Sequence, residues 1–361
     1  MRSGLKKRGA FFALLLAFAL IVAACSSDSD ETTTTADNGG SEQTTTTAGG
    51  GEETTTTEAP EETTTTAAPS GVTVGMAYDI GGRGDQSFND SAAAGLDRAT
   101  ADFGIESQEL EPAAGGENRE ENLRLLAESG FELVFGIGFA FADAMTAAAA
   151  DFPDTNFAIV DSVIDAPNVA SLVFAEEQGS ALVGAAAALK TETGKIGFIG
   201  GVDIDLIKKF EAGYVWGAQQ INPDIEIIVQ YLTAVPDFSG FTDPAKGKEA
   251  ALAMYQDGAD IVYHAAGGSG AGLFEAAKET SEASGSKVWA IGVDSDQILT
   301  VSEDLQPYIL TSMLKRVDVS VYNTIEGYIN SGTQSGVAVS YTHLTLPTNT
   351  VTWGGGGGGG G

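Results

Sequence analysis

From residue 72 onward, short apolar runs with the pattern of buried strands alternate with segments of helical period, and that alternation leaves the chain few folds to choose from. Strands buried on both faces and separated by helices belong to parallel sheets, because each crossover helix covers one face of the sheet. The first series reads strand 72–80, helix 88–103, strand 104–110, helix 117–129, strand 132–137, helix 141–151, strand 156–161 and strand 169–174, leading into helix 176–191. The second reads strand 195–199, helix 206–221, strand 225–231, helix 244–257, strand 260–263, helix 270–283 and strand 287–293. A segment at 309–312 crosses back and a helix at 316–330 returns. The expected architecture is α/β, with two Rossmann-like parallel-sheet lobes joined by a hinge. Residues 71–174 with 298–332 would make one lobe, and 175–297 the other.

In open parallel sheets, ligands gather outside the carboxyl ends of the strands, where loop backbone and helix N-termini converge. Three apolar strands here end in a carboxylate: Asp79, Asp161 and Asp294. Any one of them could simply cap the helix that follows. As a set at three strand mouths they suit a ligand rich in O–H or N–H donors, such as a polyol or a sugar bearing a base. Phe88 and Asn89 follow Asp79 at the expected start of a helix and join it as binding candidates.

Composition removes several classes of function. A net charge of -32 with pI near 4.1 opposes a nucleic-acid partner, which would need clustered Lys and Arg. One cysteine, Cys25, excludes an intrachain disulfide and any CxxC site, and two histidines, His264 and His343, leave little for a zinc site. Calcium would need closely spaced oxygen ligands in one loop, and no such loop occurs. No metal or cofactor is therefore expected.

The N-terminus reads as a targeting segment. Arg2, Lys6, Lys7 and Arg8 precede an apolar run over 10–24 that closes with Val22, Ala23, Ala24 and Cys25, an ending that resembles a bacterial lipobox. Residues 1–24 would then be a lipoprotein signal peptide, with Cys25 acylated and the mature chain held to the outer face of the cell membrane. Residues 25–70 carry four Thr-Thr-Thr-Thr blocks, beginning at Thr32, Thr44, Thr54 and Thr63, among acidic and small residues. Such a segment cannot bury enough surface to fold and reads as a disordered tether, spanning roughly 35–40 Å as a flexible coil.

The stretch AYDIGGRGDQSFN, ending at Asn89, resembles the opening motif of the basic membrane lipoprotein family, the purine-nucleoside-receptor branch of type I periplasmic binding proteins. The similarity continues in IGGVDIDLIKKFEAGY, which contains Phe210, in IGVDSDQ around Asp294 and in TSMLKRVD around Lys315. It runs from about residue 72 to about residue 332. The resemblance implies a monomeric extracytoplasmic binding protein that captures a purine nucleoside and presents it to the permease and ATPase subunits of an ABC importer. It also implies that Asn89 and Asp161 read the base edge and that Phe88 and Phe210 sandwich the ring. Asp79, Gly268, Asp294 and Lys315 would hold the ribose. One lysine among several carboxylates disfavours a phosphorylated ligand. Two alternatives stay open at this level: a ligand sensor of the same fold without a permease, and a surface nucleoside hydrolase using the acidic cleft.

Other motifs carry less. The Gly-Gly-Ser-Gly run at 267–270 lacks the Gly-Lys-Ser/Thr ending of a phosphate loop and is expected to offer backbone donors. Arg83, Gly84 and Asp85 spell an adhesion tripeptide by coincidence, inside the binding turn. His264 has no nucleophile beside it and is not expected to be catalytic. After about residue 339 the pattern breaks: SYTHLTLPT resembles translated read-through of a sequencing adapter, and eight glycines end the chain. Residues 333–361 are accordingly expected to lack the last strand segment that family members pass between lobes.

Overall fold

The computed structural model of the protein describes residues 70–340 and 342–345, so the leader, Cys25, the threonine-rich segment and residues 346–361 lie outside the described residues. The first lobe is built from β1 (Thr73–Ala77), α1 (Phe88–Phe103), β2 (Glu106–Leu110), α2 (Arg119–Glu128), β3 (Leu133–Gly136), α3 (Ala142–Asp151), β4 (Asn156–Val160) and β5 (Val169–Phe174). The chain crosses at Ala175 into α4 (Glu176–Lys190), then β6 (Lys195–Asp203), α5 (Asp205–Ile221), β7 (Glu226–Ala234) and α6 (Pro244–Gln256). It continues through β8 (Ile261–Ala265), α7 (Gly270–Ser284), β9 (Trp289–Asp294), β10 (Ile309–Lys315), α8 (Val317–Ser331), β11 (Gly336–Ser340) and β12 (Thr342–Leu344). The two sheets have orders β11-β5-β4-β3-β1-β2 and β12-β10-β9-β8-β6-β7. Every pairing is parallel except β10 with β12.

Each sheet is covered on both faces. In the first, Leu96 of α1 and Val317, Val321 and Ile325 of α8 meet Val74, Phe135 and Val160 on one side. Leu123, Leu126 and Met145 of α2 and α3 meet Val134 and Ile159 on the other. In the second, Val183 and Tyr214 of α4 and α5 pack on Phe198 and Ile291, while Met254, Leu273 and Phe274 of α6 and α7 pack on Val262 and Ala290. Fully burying such a side chain stabilises the fold by about 1.5–3 kcal/mol, which is why these residues are apolar on both faces of each strand. Helices α4 and α5 touch backbone to backbone: a Cβ on Gly184 would lie 2.1 Å from the Tyr214 carbonyl oxygen, and one on Gly217 2.0 Å from that of Ala181. The small residues of these helices are therefore a packing requirement.

Two sequence expectations are corrected here. The segment 298–315 was assigned to the first lobe, but β10 pairs with β9, from Ile309 opposite Ala290 to Leu314 opposite Asp294, and belongs to the second sheet. The return to the first lobe falls at Arg316, immediately before α8. The final crossing strand, expected to be missing, is present in 336–344: β11 runs parallel to β5, and β12 antiparallel to β10. Val337 and Val339 need only the exposed edge of β5 to pair with, so a weakly apolar sequence suffices there. His343 lies exposed in β12 and takes no part in the site.

No helix among the described residues is long and apolar enough to cross a membrane.

Candidate functional site

The carboxyl ends of β1, β4, β9 and β10 converge on a cleft between the lobes with about 630 Å³ of empty space, counted out to its open mouth. Its lining includes Asp79, Phe88, Asn89, Asp161, Phe210, Asp294 and Lys315. Gly267 lines it rather than Gly268, which sits one position further along against Phe241 and Asp85. The sequence reading did not anticipate Phe139 and Phe241 in the lining, nor Asp85.

Asp161, just after β4, and Asp294, the last residue of β9, both take the left-handed conformation, with φ of 68° and 63°. Few residues other than glycine tolerate this; aspartate does so better than most, and the turn swings the carboxylate off the strand axis into the cleft. Lys315, 2% exposed, ends β10 between them. Its ammonium donates to Asp161 Oδ2 at 2.5 Å and lies 3.9 Å from Glu176 Oε1. It also stands 4.9, 5.0 and 5.7 Å from the ring centres of Phe88, Phe174 and Phe210. Burial works to push the ammonium down, but Asp161, Glu176 and Asp294 outweigh it and hold the group above the ordinary lysine range. A lysine free in solvent at a helix start would show none of this.

The partners differ from those expected for the charges. Lys315 was grouped with Asp79 and Asp294 around the ribose; its direct partner is Asp161. Asp79 is neutralised by Arg119, the first residue of α2, whose Nε donates to Oδ1 at 2.9 Å with the Ile80 N–H on the same oxygen at 2.7 Å. Burial raises the Asp79 pKa, and Arg119 partly opposes that. No sequence pattern marks Arg119, because it is forty residues away and meets Asp79 through the fold. Asn89 spends its carboxamide on the turn: Oδ1 accepts the Asp79 N–H at 3.3 Å, while Nδ2 donates to the Ile80 carbonyl at 3.4 Å and to Asp85 at 3.0 Å.

Asp85 closes the N-terminus of α1, accepting the backbone N–H groups of Ser87, Asn89 and Asp90 at 2.9, 2.9 and 3.1 Å. An aspartate just ahead of a helix start is a cap signal, so this residue was legible although it sits inside an adhesion-like tripeptide. Its neighbour Arg83 turns outward to Glu109 and Asp97.

Phe210, 3% exposed, belongs both to the cleft and to the core of the second lobe. The phenylalanine thus borders the cavity while it also packs within the core of the second lobe. His264 is wholly buried, its Nε2 2.9 Å from Gln297 Oε1, and burial lowers its pKa to about 4. It stays neutral and structural. No group of three His, Cys, Asp or Glu side chains among the described residues could hold a metal ion.

Asp161 Oδ1 is buried without a hydrogen-bond partner. The Asp294 pKa is raised to about 6, by burial first, with Lys315 and the Ser87 hydroxyl opposing. The cleft therefore offers buried carboxylate acceptors, flat aromatic walls and one already paired ammonium. It can receive a flat ring with N–H donors and a hydroxylated appendage, and it repels added anionic charge.

The fold agrees with that of known proteins of similar sequence. Residues 72–342 match the family described as ABC transporter substrate-binding protein PnrA-like, Bmp. The chain is 39% identical over 282 residues to the ABC transporter nucleoside-binding protein BmpA of Lactococcus lactis subsp. cremoris, covering 74% of this chain and 77% of that one. It is 34% identical over 268 residues to basic membrane protein A of Borreliella burgdorferi, covering 70% and 74%. Among solved structures it resembles an ABC transporter solute-binding protein from Aeropyrum pernix K1, with TM-score 0.67, 32% identity and 76% of each chain covered. With a type I periplasmic-binding-protein fold and a cleft between its lobes, the chain belongs to the Bmp family of ABC transporter substrate-binding proteins.

Proposed function

We propose that the protein captures a purine nucleoside outside the cytoplasm and delivers it to the permease of an ABC importer. The observation that carries the ligand class is Asp161 Oδ1, a carboxylate oxygen buried without a partner on a residue that lines an aromatic cleft. Leaving such an acceptor unmet costs about 1–3 kcal/mol or more, so the site favours a ligand that brings an N–H or O–H donor to it. A purine edge supplies that donor while its ring stacks between Phe88 and Phe210. Asp79 Oδ2, Asp294 and Lys315, with backbone from the Gly267–Gly268 turn, are proposed to hold the ribose hydroxyls. Asn89 supports the base edge from the turn. Three buried carboxylates, Asp161, Glu176 and Asp294, face Lys315, which favours a nucleoside over a nucleotide. The naming of a 39% identical relative as nucleoside-binding supports the same reading.

A panel of inosine, guanosine, adenosine, pyrimidine nucleosides, free sugars and amino acids tests the class. Saturation at about a hundred times the dissociation constant is expected to stabilise the fold by roughly 2.7 kcal/mol, read as a melting shift. A shift with a sugar or amino acid and none with any nucleoside would overturn the ligand class. Recovery of the nucleoside unchanged distinguishes capture from hydrolysis.

Attachment to the membrane is proposed to run through acylated Cys25. Cys25→Ser is expected to move the protein from the membrane fraction to the soluble one, and an unaltered membrane fraction would remove the anchor from the proposal.

A further inference from the structure

The lobes touch through a set of hydrogen bonds made only of protein atoms. Ser87 Oγ, on the turn before α1 in the first lobe, donates to Asp294 Oδ2 in the second at 2.7 Å. Ser295 Oγ donates back across the cleft to the Ser87 carbonyl at 3.0 Å, and Gln297 Nε2 to the Gln86 carbonyl at 3.0 Å. Ser87, Asp294 and Gln297 are all buried; the Ser87–Asp294 bond is shielded from water, and the other two are partly buried.

Both sides are held rigid for the contact. Gln86 has φ of 57°, a conformation that costs a non-glycine residue energy, and its N–H is fixed by Asp90 Oδ2 at 3.0 Å. The Ser87 N–H is fixed by the Asp85 cap. Opposite, the Gln297 side chain is pinned by its Oε1, which accepts the Val293 N–H at 2.8 Å and meets His264 Nε2 at 2.9 Å. His264 thereby gains a purpose beyond filling space: it orients the amide that reaches across the cleft.

We propose that Ser87 is a positioning residue for ligand binding, and that with Ser295 and Gln297 it latches the lobes together. The Ser87 hydroxyl fixes one oxygen of Asp294 and turns the other toward the ligand, but it can do so only when the lobes are together. Lobe closure and presentation of Asp294 are thus one event. When the lobes part, Asp294 loses this partner and the ligand loses an aimed carboxylate. The inference rests on the cleft being the ligand site, and its test separates the two ideas.

The full chain carrying Cys25→Ser, with cysteines placed for dyes at exposed Asp154 and Asp224, one on each lobe, reports lobe separation by energy transfer. Without added ligand, Ser87→Ala is expected to shift the distribution toward wider separation. With inosine as probe, its dissociation rate is expected to rise roughly five- to fiftyfold while association changes less than about twofold. Ser295→Ala, which leaves the Asp294 carboxylate untouched, should give a smaller shift in the same direction and serves if Ser87→Ala does not fold. Unchanged ligand-free separation together with an unchanged dissociation rate overturns the latch. Absence of any inosine response in the parent protein counts against the nucleoside reading and leaves the ligand-free measurement to decide the latch alone.

Discussion

Lys315→Met is expected to destabilise the protein by about 3–5 kcal/mol at pH 7, the range measured when one partner of a buried ion pair is removed. Lys315 is 2% exposed and its ammonium stands against Asp161, Glu176 and Asp294; of these, Glu176 alone has a second lysine, Lys209, at 3.5 Å. Methionine fills the space but leaves the Asp161 carboxyl group buried and without a cation. Denaturant unfolding measures the loss. Adding Asp161→Asn should return part of it, because the orphaned charge goes with the cation. A Lys315→Met protein within about 1 kcal/mol of its parent would show that water or protonation already meets these carboxylates.

The pH dependence of that loss follows from Asp294. Its folded pKa of about 6 lies above the ordinary carboxylate value, so the folded state binds the extra proton between the two. The stability linked to that proton is complete below the unfolded pKa and is lost as pH rises through about 6. Removing Lys315 takes away a group that favours the ionised form. The Lys315→Met deficit should therefore be larger at pH 7.5 than at pH 5.

Asp294→Ala is expected to weaken nucleoside binding by roughly ten- to a hundredfold, the equivalent of about 1.5–3 kcal/mol for hydrogen bonds to a charged acceptor. Free base, without the sugar, should be affected little. Asp294 and Asp294→Ala measured against a ribonucleoside and its 2′-deoxy and 3′-deoxy analogues isolate the pairwise coupling from general damage to the cleft. Two neighbours complicate the variant: Ser87 Oγ loses its acceptor at 2.7 Å, and Lys315 loses one of three nearby carboxylates. Melting temperature is to be read beside affinity for that reason. Equal losses for all three nucleosides would place the sugar away from Asp294. The parent protein carries its own signature, since a ligand hydroxyl prefers the ionised carboxylate: affinity should fall as pH drops below about 6, by at most about tenfold per pH unit.

Much of the framework was legible because strands and helices announce themselves locally. The helix at 88–103 and the strand at 169–174 fall where the periodicity put them. The mouths of the strands ending at Asp79, Asp161 and Asp294 could be located because a buried apolar run must stop where its chain reaches solvent or ligand. The capping role of Asp85 was also within reach of sequence, hidden by its place in a turn already assigned to binding.

What the chain could not reveal along its length is how those pieces choose one another. A run such as 309–315 is equally apolar in either lobe, and only the free edge of β9 decides that it joins the second sheet. The same holds for charge. Sequence placed one lysine among several carboxylates, but Arg119 takes Asp79 and Lys315 takes Asp161 because distances of a few ångströms, set by packing of whole elements, decide which pair forms. Asn89 shows the limit for neutral groups, since its carboxamide is consumed by a turn whose shape depends on Asp85. Local pattern thus determined two parallel-sheet lobes and the strand ends that face the cleft. Which strand joins which lobe, which charges cancel and which acceptor, Asp161 Oδ1, is left without a hydrogen-bond partner were decided by tertiary structure, because those depend on contacts between residues far apart in the chain.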